Sequence, residues 1–150
     1  MEKEVAIRKV QKSDLLYIVN IERVSFGKDA FSLRQFKYLL QSSNCYFFSA
    51  TLNGIPVGYL ILLKRKGSKA LRIYSIAIDS NHRGKGIAYR LIELAKKTAV
   101  EADFKRLTLE VSEINHAAID LYRKVGFIPI GTKPNYYHDG SSALLMAKGL

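Results

Sequence analysis

From Val5 to Val10 apolar and polar residues alternate, the period of a half-buried strand. The period then lengthens. Leu15, Leu16, Ile18, Val19 and Ile21 recur at helical spacing, with Ser13 and Asp14 where a helix cap belongs. Ser25 to Phe31 has no clear period and reads as a loop, and Ser32-Leu33-Arg34-Gln35 fits a capping box opening a short second helix through Leu40. Cys45–Leu52 and Pro56–Leu63 read as strands joined by Asn53-Gly54, the strongest short-range hairpin signal. A further strand is expected from about Ala70 to Asp79.

Beyond it, Ile87, Leu91, Leu94 or Ala95, and Thr98 share one face of a long helix, away from Arg90, Glu93, Lys97 and Glu101. Arg106–Val111 is strand-like, with Leu107, Leu109 and Val111 on one face and Thr108 and Glu110 on the other. Asn115 caps a last helix carrying Ala118, Ile119, Leu121, Tyr122 and Val125, and Gly126 stands where helices stop. Phe127–Lys133 and Ala143–Ala147 close the chain as strands. The order βααβββαβαββ predicts an α/β fold, a mixed sheet of about seven strands flanked by about four helices. With 150 residues and no repeat, low-complexity stretch or linker, residues 1–150 are expected to form a single domain.

Composition narrows the class. Hydrophobic residues make up 48% and charged residues 25%, as in a soluble globular protein. The longest strongly apolar run, Gly58–Leu63, falls far short of the roughly 20 residues that span a bilayer, so no membrane partner is expected. Met1-Glu2-Lys3-Glu4 lacks the apolar core of a secretory signal, and Cys45 is the one cysteine, which excludes an internal disulfide. Both fit a cytoplasmic protein. The net charge of +11 suits an acidic partner (nucleic acid, a ribosome surface, a phosphorylated cofactor) or simply a solvated basic surface. Lys64–Lys69 concentrates charge but reads first as an exposed hairpin loop, and no specific nucleic-acid-binding motif accompanies it. His82, His116 and His138 lack metal-ligand spacing and read as exposed loop or helix-start residues; no metal is expected. Cys45 opens a strand and reads as a buried small hydrophobe.

The run His82-Arg83-Gly84-Lys85-Gly86-Ile87-Ala88 joins a strand to a helix. Its glycines let the backbone turn tightly and approach a ligand, while the helix start offers unpaired N–H groups and a partial positive charge. Arg83 and Lys85 add full charges, so the turn suits a pyrophosphate. It is neither a dinucleotide fingerprint, because Tyr89 stands where the last glycine belongs, nor a Walker A loop, because Ile87 follows Gly86. A plain turn with glycines for geometry is the alternative.

Arg83-Gly84-Lys85-Gly86-Ile87-Ala88 resembles the Arg/Gln-x-x-Gly-x-Gly/Ala signature of the GCN5-related N-acetyltransferases (GNAT), and Leu109 through Phe127 resembles that family's second block. Asn135-Tyr136-Tyr137, with Ala143–Met146 after it, is similar to the branch holding ribosomal-protein-alanine and archaeal protein N-terminal acetyltransferases. The resemblance implies acetyl-CoA as cofactor, with its pyrophosphate on the N–H groups from Arg83 to Ala88. It implies pantetheine along Ile76-Ala77-Ile78, held also at Asn115 and Ala118, with a strand N–H facing the thioester oxygen. It implies Glu110 as general base, directly or through water, and Tyr122, two turns after Asn115, as the acid for the leaving thiolate. Phe31, Tyr74, Tyr136 and Tyr137 are expected to line the acceptor groove, with Phe31 facing the tyrosine pair.

One departure matters. Some relatives carry a His or Tyr that helps activate the amine where this chain has Arg72, which stays protonated and cannot act as a base. The expected activity is acetylation of the N-terminal α-amine of proteins, whose reference pKa near 8 asks less of one carboxylate than a lysine near 10.4. Two alternatives stand beside it: acetylation of lysine, a polyamine or another small amine, and a basic RNA- or ribosome-binding module without turnover. Ribosome association is compatible with the first as well.

Overall fold

The computed structural model describes residues 4–150; the expectation about the N-terminal run falls mostly on residues 1–3, outside the described residues. Among the described residues there are seven strands: β1 Ala6–Lys9, β2 Cys45–Leu52, β3 Ile55–Leu63, β4 Ala70–Ile78, β5 Arg106–Ser112, β6 Ile128–Lys133 and β7 Ala143–Gly149. Four α-helices accompany them: α1 Leu15–Phe26, α2 Leu33–Gln41, α3 Ile87–Glu101 and α4 His116–Lys124. The strands form one mixed sheet in the order β1-β2-β3-β4-β5-β7-β6. Every neighbouring pair is antiparallel except β4 and β5, the two strands joined through α3.

Strand alternation divides the core. Leu60 and Leu62 of β3 join Leu91, Ile92, Ala95 and Ala99 of α3 in one cluster. Tyr59 and Ile61 join Leu15, Ile18 and Ile21 of α1 and Phe36 and Leu39 of α2 in the other. Helices therefore cover both faces of the central strands. The buried face of α3 is rotated slightly from its expected one: Ile92 and Ala99 are buried, while Thr98 is half-exposed and donates its hydroxyl to Leu94 O at 2.8 Å.

Local signals hold where they are self-contained. Asn53 and Gly54 sit at φ 53° and 80°, the positive values that a two-residue hairpin turn requires. The Ser32–Gln35 capping box forms in both directions, at 3.2 Å and 2.7 Å. Two expectations change. Ser25 and Phe26 belong to α1, and Gly27–Asp29 adds a 3-10 turn before α2. Asp14 does not cap α1; its side chain accepts from Gln11 N at 2.7 Å and from Arg8 at 2.6 and 2.9 Å, within a 3-10 turn over Lys12–Asp14. The strong anion-cation pair across the sheet edge outcompetes a local cap.

The feature that shapes the site is a bulge. Ile61 pairs with Ser75 and Leu62 with Ile73, leaving Tyr74 opposite no residue of β3. Alternation along β4 therefore slips at this point: Ile73 and Ile76 belong to the α3-side core, Tyr74 and Ala77 to the α1-side core. β4 and β5 also cease to pair here. Their register runs from Ala70↔Arg106 to Ile73↔Leu109 and goes no further, although both strands continue.

Candidate active site

The parting of β4 and β5 opens a cavity of about 580 Å³. Ile73–Ile76 form one wall and Leu109–Ser112 the other. Asn115, at the cap of α4, and Ala118 and Tyr122 within it close one side, while Phe31, Tyr136 and Tyr137 come from loops. One cavity thus gathers Glu110, Tyr122, Asn115, Ala118, Ile76 and all four expected acceptor-side aromatics.

Glu110 projects from the polar face of β5, its side chain 11% exposed. Arg72 Nη2 of β4 lies 2.7 Å from its Oε1, and Lys133 Nζ of β6 lies 3.4 Å from its Oε2. Parallel register places Arg72 beside Thr108 and thus within reach of Glu110, two residues along the same face. Oε2 is shielded from solvent, and its contact with Lys133 is an ion pair without hydrogen-bond geometry. Burial, and then the neighbouring carboxylate of Glu110, push the Tyr136 phenol above its ordinary value. Burial raises Tyr137 to about 12, with Tyr136, Glu110 and Asp29 adding to the effect.

Tyr122 is buried, with its ring packed edge-on against Phe127 at 5.8 Å between centroids. Burial, reinforced by Tyr137, raises its phenol well above the ordinary value, so it holds its proton. Asn115 lines the cavity, and its Oδ1 accepts from Ala118 N at 3.2 Å as the α4 cap, so the amide NH₂ is not used in capping.

The glycine turn lies beyond this cavity, at the far end of β4. Gly84 and Gly86 have φ 76° and 78°, and a Cβ on either would meet nothing within 4 Å. Gly86 precedes α3, whose first turn has no side-chain cap among the described residues. Open space before uncapped N–H groups fits a pyrophosphate. Arg83 is anchored by its Nε on Ile78 O at 3.2 Å. Ile76 reaches the cavity, but Ala77 and Ile78 are buried in the two cores instead of lining it. Their backbone edge, unpaired with β5, is what remains available to a ligand.

Two loops frame the side expected to receive the acceptor. Tyr136 N and Tyr137 N both donate to Ser141 O, at 3.1 and 3.2 Å, which folds the β6–β7 loop around the tyrosine pair. His138 is an exposed loop histidine, as expected, and its backbone N and Nδ1 lie 3.1 and 2.5 Å from Asp29 Oδ1, linking this loop to the α1–α2 connection. His82 likewise meets Asp79, at 2.8 Å. Phe31 lines the same cavity as the tyrosine pair and stacks on Tyr74 at 4.8 Å and 11°. Cys45 is half-buried, and burial lifts its thiol to about 11.

Sequence reasoning missed Glu22. It is 2% exposed and lines the cavity from α1. Ser75 Oγ donates to its Oε1 at 2.9 Å, the Tyr59 hydroxyl bonds the same oxygen, and Phe31 N donates to Oε2 at 3.0 Å. Burial raises its pKa despite these bonds. The available signal was its place four residues after Ile18 and seven after Leu15, on the apolar face of the helix.

Among the described residues no three His, Cys, Asp or Glu side chains could hold a metal ion together, and no helix is long and apolar enough to cross a membrane. The mixed sheet thus splits beside a glycine-rich helix start, with a carboxylate and a phenol in the split. Residues 14–127 match the model of the acetyltransferase (GNAT) family, and the chain belongs to that family. A Bacillus subtilis protein provisionally named a [ribosomal protein bS18]-alanine N-acetyltransferase is 32% identical over 152 residues, spanning 97% of this chain and 96% of that protein. An N-alpha-acetyltransferase of Sulfurisphaera tokodaii is 30% identical, over 99% of this chain and 95% of that one. The crystal structure of the Escherichia coli ribosomal-protein-S18-alanine N-acetyltransferase superposes with a TM-score of 0.86 at 26% identity, covering 97% and 94% of the two chains. The protein is therefore an acetyltransferase, and acetyl-CoA is its acetyl donor.

Proposed function

We propose that the protein acetylates the α-amine of polypeptide N-termini by direct transfer from acetyl-CoA. The observation that carries this reading is the single cavity in which Glu110 and Tyr122 occupy walls between the split strands and the two acceptor-side loops. The names of relatives matching almost the whole chain support the same acceptor class.

In this reading Glu110 takes a proton from the incoming ammonium, directly or through a water molecule, so that the neutral amine attacks the thioester. A β4 backbone N–H beyond Ile73 supports the developing oxyanion. Tyr122, whose phenol is protonated at rest, gives a proton to the departing thiolate as the carbon–sulfur bond breaks, and the second proton that the attacking nitrogen sheds as the amide forms restores the phenol. The turn from Arg83 to Ala88 holds the pyrophosphate, and Asn115 and Ala118 hold the pantetheine arm. Tyr136, Tyr137, Phe31 and Tyr74 receive the first residues of the acceptor. Arg72 acts on the carboxylate, not on the amine: its guanidinium fixes the Glu110 carboxylate in place.

Another cationic amine is a competing acceptor, because among the described residues Glu22, Asp29, Glu110 and Asp139 line the cavity against Arg72, with Lys133 reaching Glu110 from outside the lining. Initial rates of acetyl-CoA consumption against short unblocked peptides of varied first residue, N-blocked lysine peptides and spermidine separate the two. Turnover of unblocked peptides is expected. Turnover confined to blocked lysine peptides or spermidine overturns the α-amine reading.

A further inference from the structure

Glu22 is a carboxylate with no place in the chemistry proposed above, yet it is buried and ties its helix to three other segments. It stands on α1, bonds Tyr59 of β3 and Ser75 of β4, and accepts the backbone N–H of Phe31 in the α1–α2 connection. Burying a carboxylate costs desolvation, and well-packed apolar residues would stabilise the same space at least as well. What a carboxylate adds is fixed geometry toward several donors at once.

That geometry leads to the acceptor side through direct contacts. Phe31, held by its N–H at 3.0 Å, stacks on Tyr74, the bulged residue of β4. Ser75, held at 2.9 Å by the same carboxylate, is the next residue along and fixes the bulge from its other side. The Arg72 guanidinium lies over the Tyr74 ring at 5.1 Å and reaches Glu110 at 2.7 Å. We infer that Glu22 is a positioning residue: by holding Phe31 N–H and Ser75 Oγ it sets the Phe31–Tyr74 wall of the acceptor cavity, and through Tyr74 and Arg72 the Glu110 carboxylate. The inference rests on the acceptor-site reading of this cavity.

Two substitutions separate positioning from mere stability. In Glu22→Gln the amide oxygen still accepts from Phe31 N, and the NH₂ donates to Tyr59 or Ser75. Glu22→Met fills the space without accepting anything. Steady-state kinetics use the best unblocked peptide of the panel above, or the best lysine peptide or spermidine if the panel selects those. An α-amine reading that fails thus leaves this test intact. The expected result is a loss of about ten- to a hundred-fold in acceptor kcat/KM for E22M, the scale of a ~1 Å misplacement. The acetyl-CoA KM stays unchanged, and E22Q restores most of the loss.

A double-mutant cycle with Phe31→Ala supplies the second readout. If Glu22 acts through Phe31, E22M adds little to the acceptor defect of F31A while still lowering its Tm. Fully additive acceptor effects overturn the proposal, as does an E22M defect that falls equally on acetyl-CoA KM. Should E22M not fold, F31A alone decides, since it leaves the buried cluster intact: an unchanged acceptor KM in F31A overturns the proposal.

Discussion

Glu110 works, in the proposed mechanism, while held between Arg72 at 2.7 Å and Lys133 at 3.4 Å. Glu110→Gln preserves shape and removes the proton acceptor, so kcat is expected to fall by about 10²- to 10⁴-fold. The remaining activity should climb toward alkaline pH, because the variant depends on solvent to deliver the neutral amine, whose reference pKa is near 8. An unchanged kcat and pH profile would remove Glu110 from the role. Tyr122→Phe tests the other half of the reaction. Its ring is packed on Phe127, so the variant should fold and bind acetyl-CoA in calorimetry, yet turn over at least about tenfold more slowly. The polarity of both residues was legible: Glu110 alternates away from Leu109 and Val111, and Tyr122 recurs with Asn115 at helical spacing. Their partners were not. Arg72 lies 38 positions from Glu110 in the chain, and only the parallel pairing of β4 with β5 joins them.

Elements governed by neighbours in sequence were readable, and those governed by neighbours in space were displaced. The Ser32 box, the Asn53-Gly54 turn and the Asn115 cap each close within four residues, so composition alone specifies them. Ser13 and Asp14 have the right chemistry for a cap, but Arg8, across a strand edge, claims Asp14. The bulge at Tyr74 is beyond any periodicity argument, because it depends on how β3 pairs. Close packing around that strand gives a direct test. A Cβ on Gly58 would stand 2.7 Å from Ile78 Cδ1 and 3.2 Å from Ala77 O. Gly58→Ala should therefore cost about 1–3 kcal/mol in urea unfolding, by crowding β3 against the outer half of β4. A variant as stable as the parent would show that this half of β4 yields freely.

At the scale of the whole molecule, two buried carboxylates bias folding stability in opposite directions with pH. Burial opposes charge on Asp14, but its hydrogen bonds to Arg8 and Gln11 N prevail and lower its pKa. Its contribution is present above the ordinary carboxylate range and is lost as pH falls through the lowered value. Glu22 is the reverse: burial outweighs its hydrogen bonds and raises its pKa, so the folded state binds that proton more tightly than the unfolded chain. Stability then declines as pH rises from the ordinary carboxylate value to the raised one. The Tm of the parent minus that of E22Q should accordingly shrink across that window, and the Tm difference between parent and Asp14→Asn should shrink below it. A pH-independent difference for E22Q would refute the assignment. The same scale separates what the chain determines unaided from what folding adds. Helix and strand order, the caps, the hairpin, the glycine turn and the residue types for acyl transfer all follow from local sterics, periodicity and hydrogen bonding within a few residues. The split between β4 and β5, the bulge that turns Tyr74 and Ser75 toward α1, the Arg72–Glu110–Lys133 cluster and the buried Glu22 arise only when distant segments pack. Their energies come from pairing and desolvation, and both depend on which groups the fold brings together.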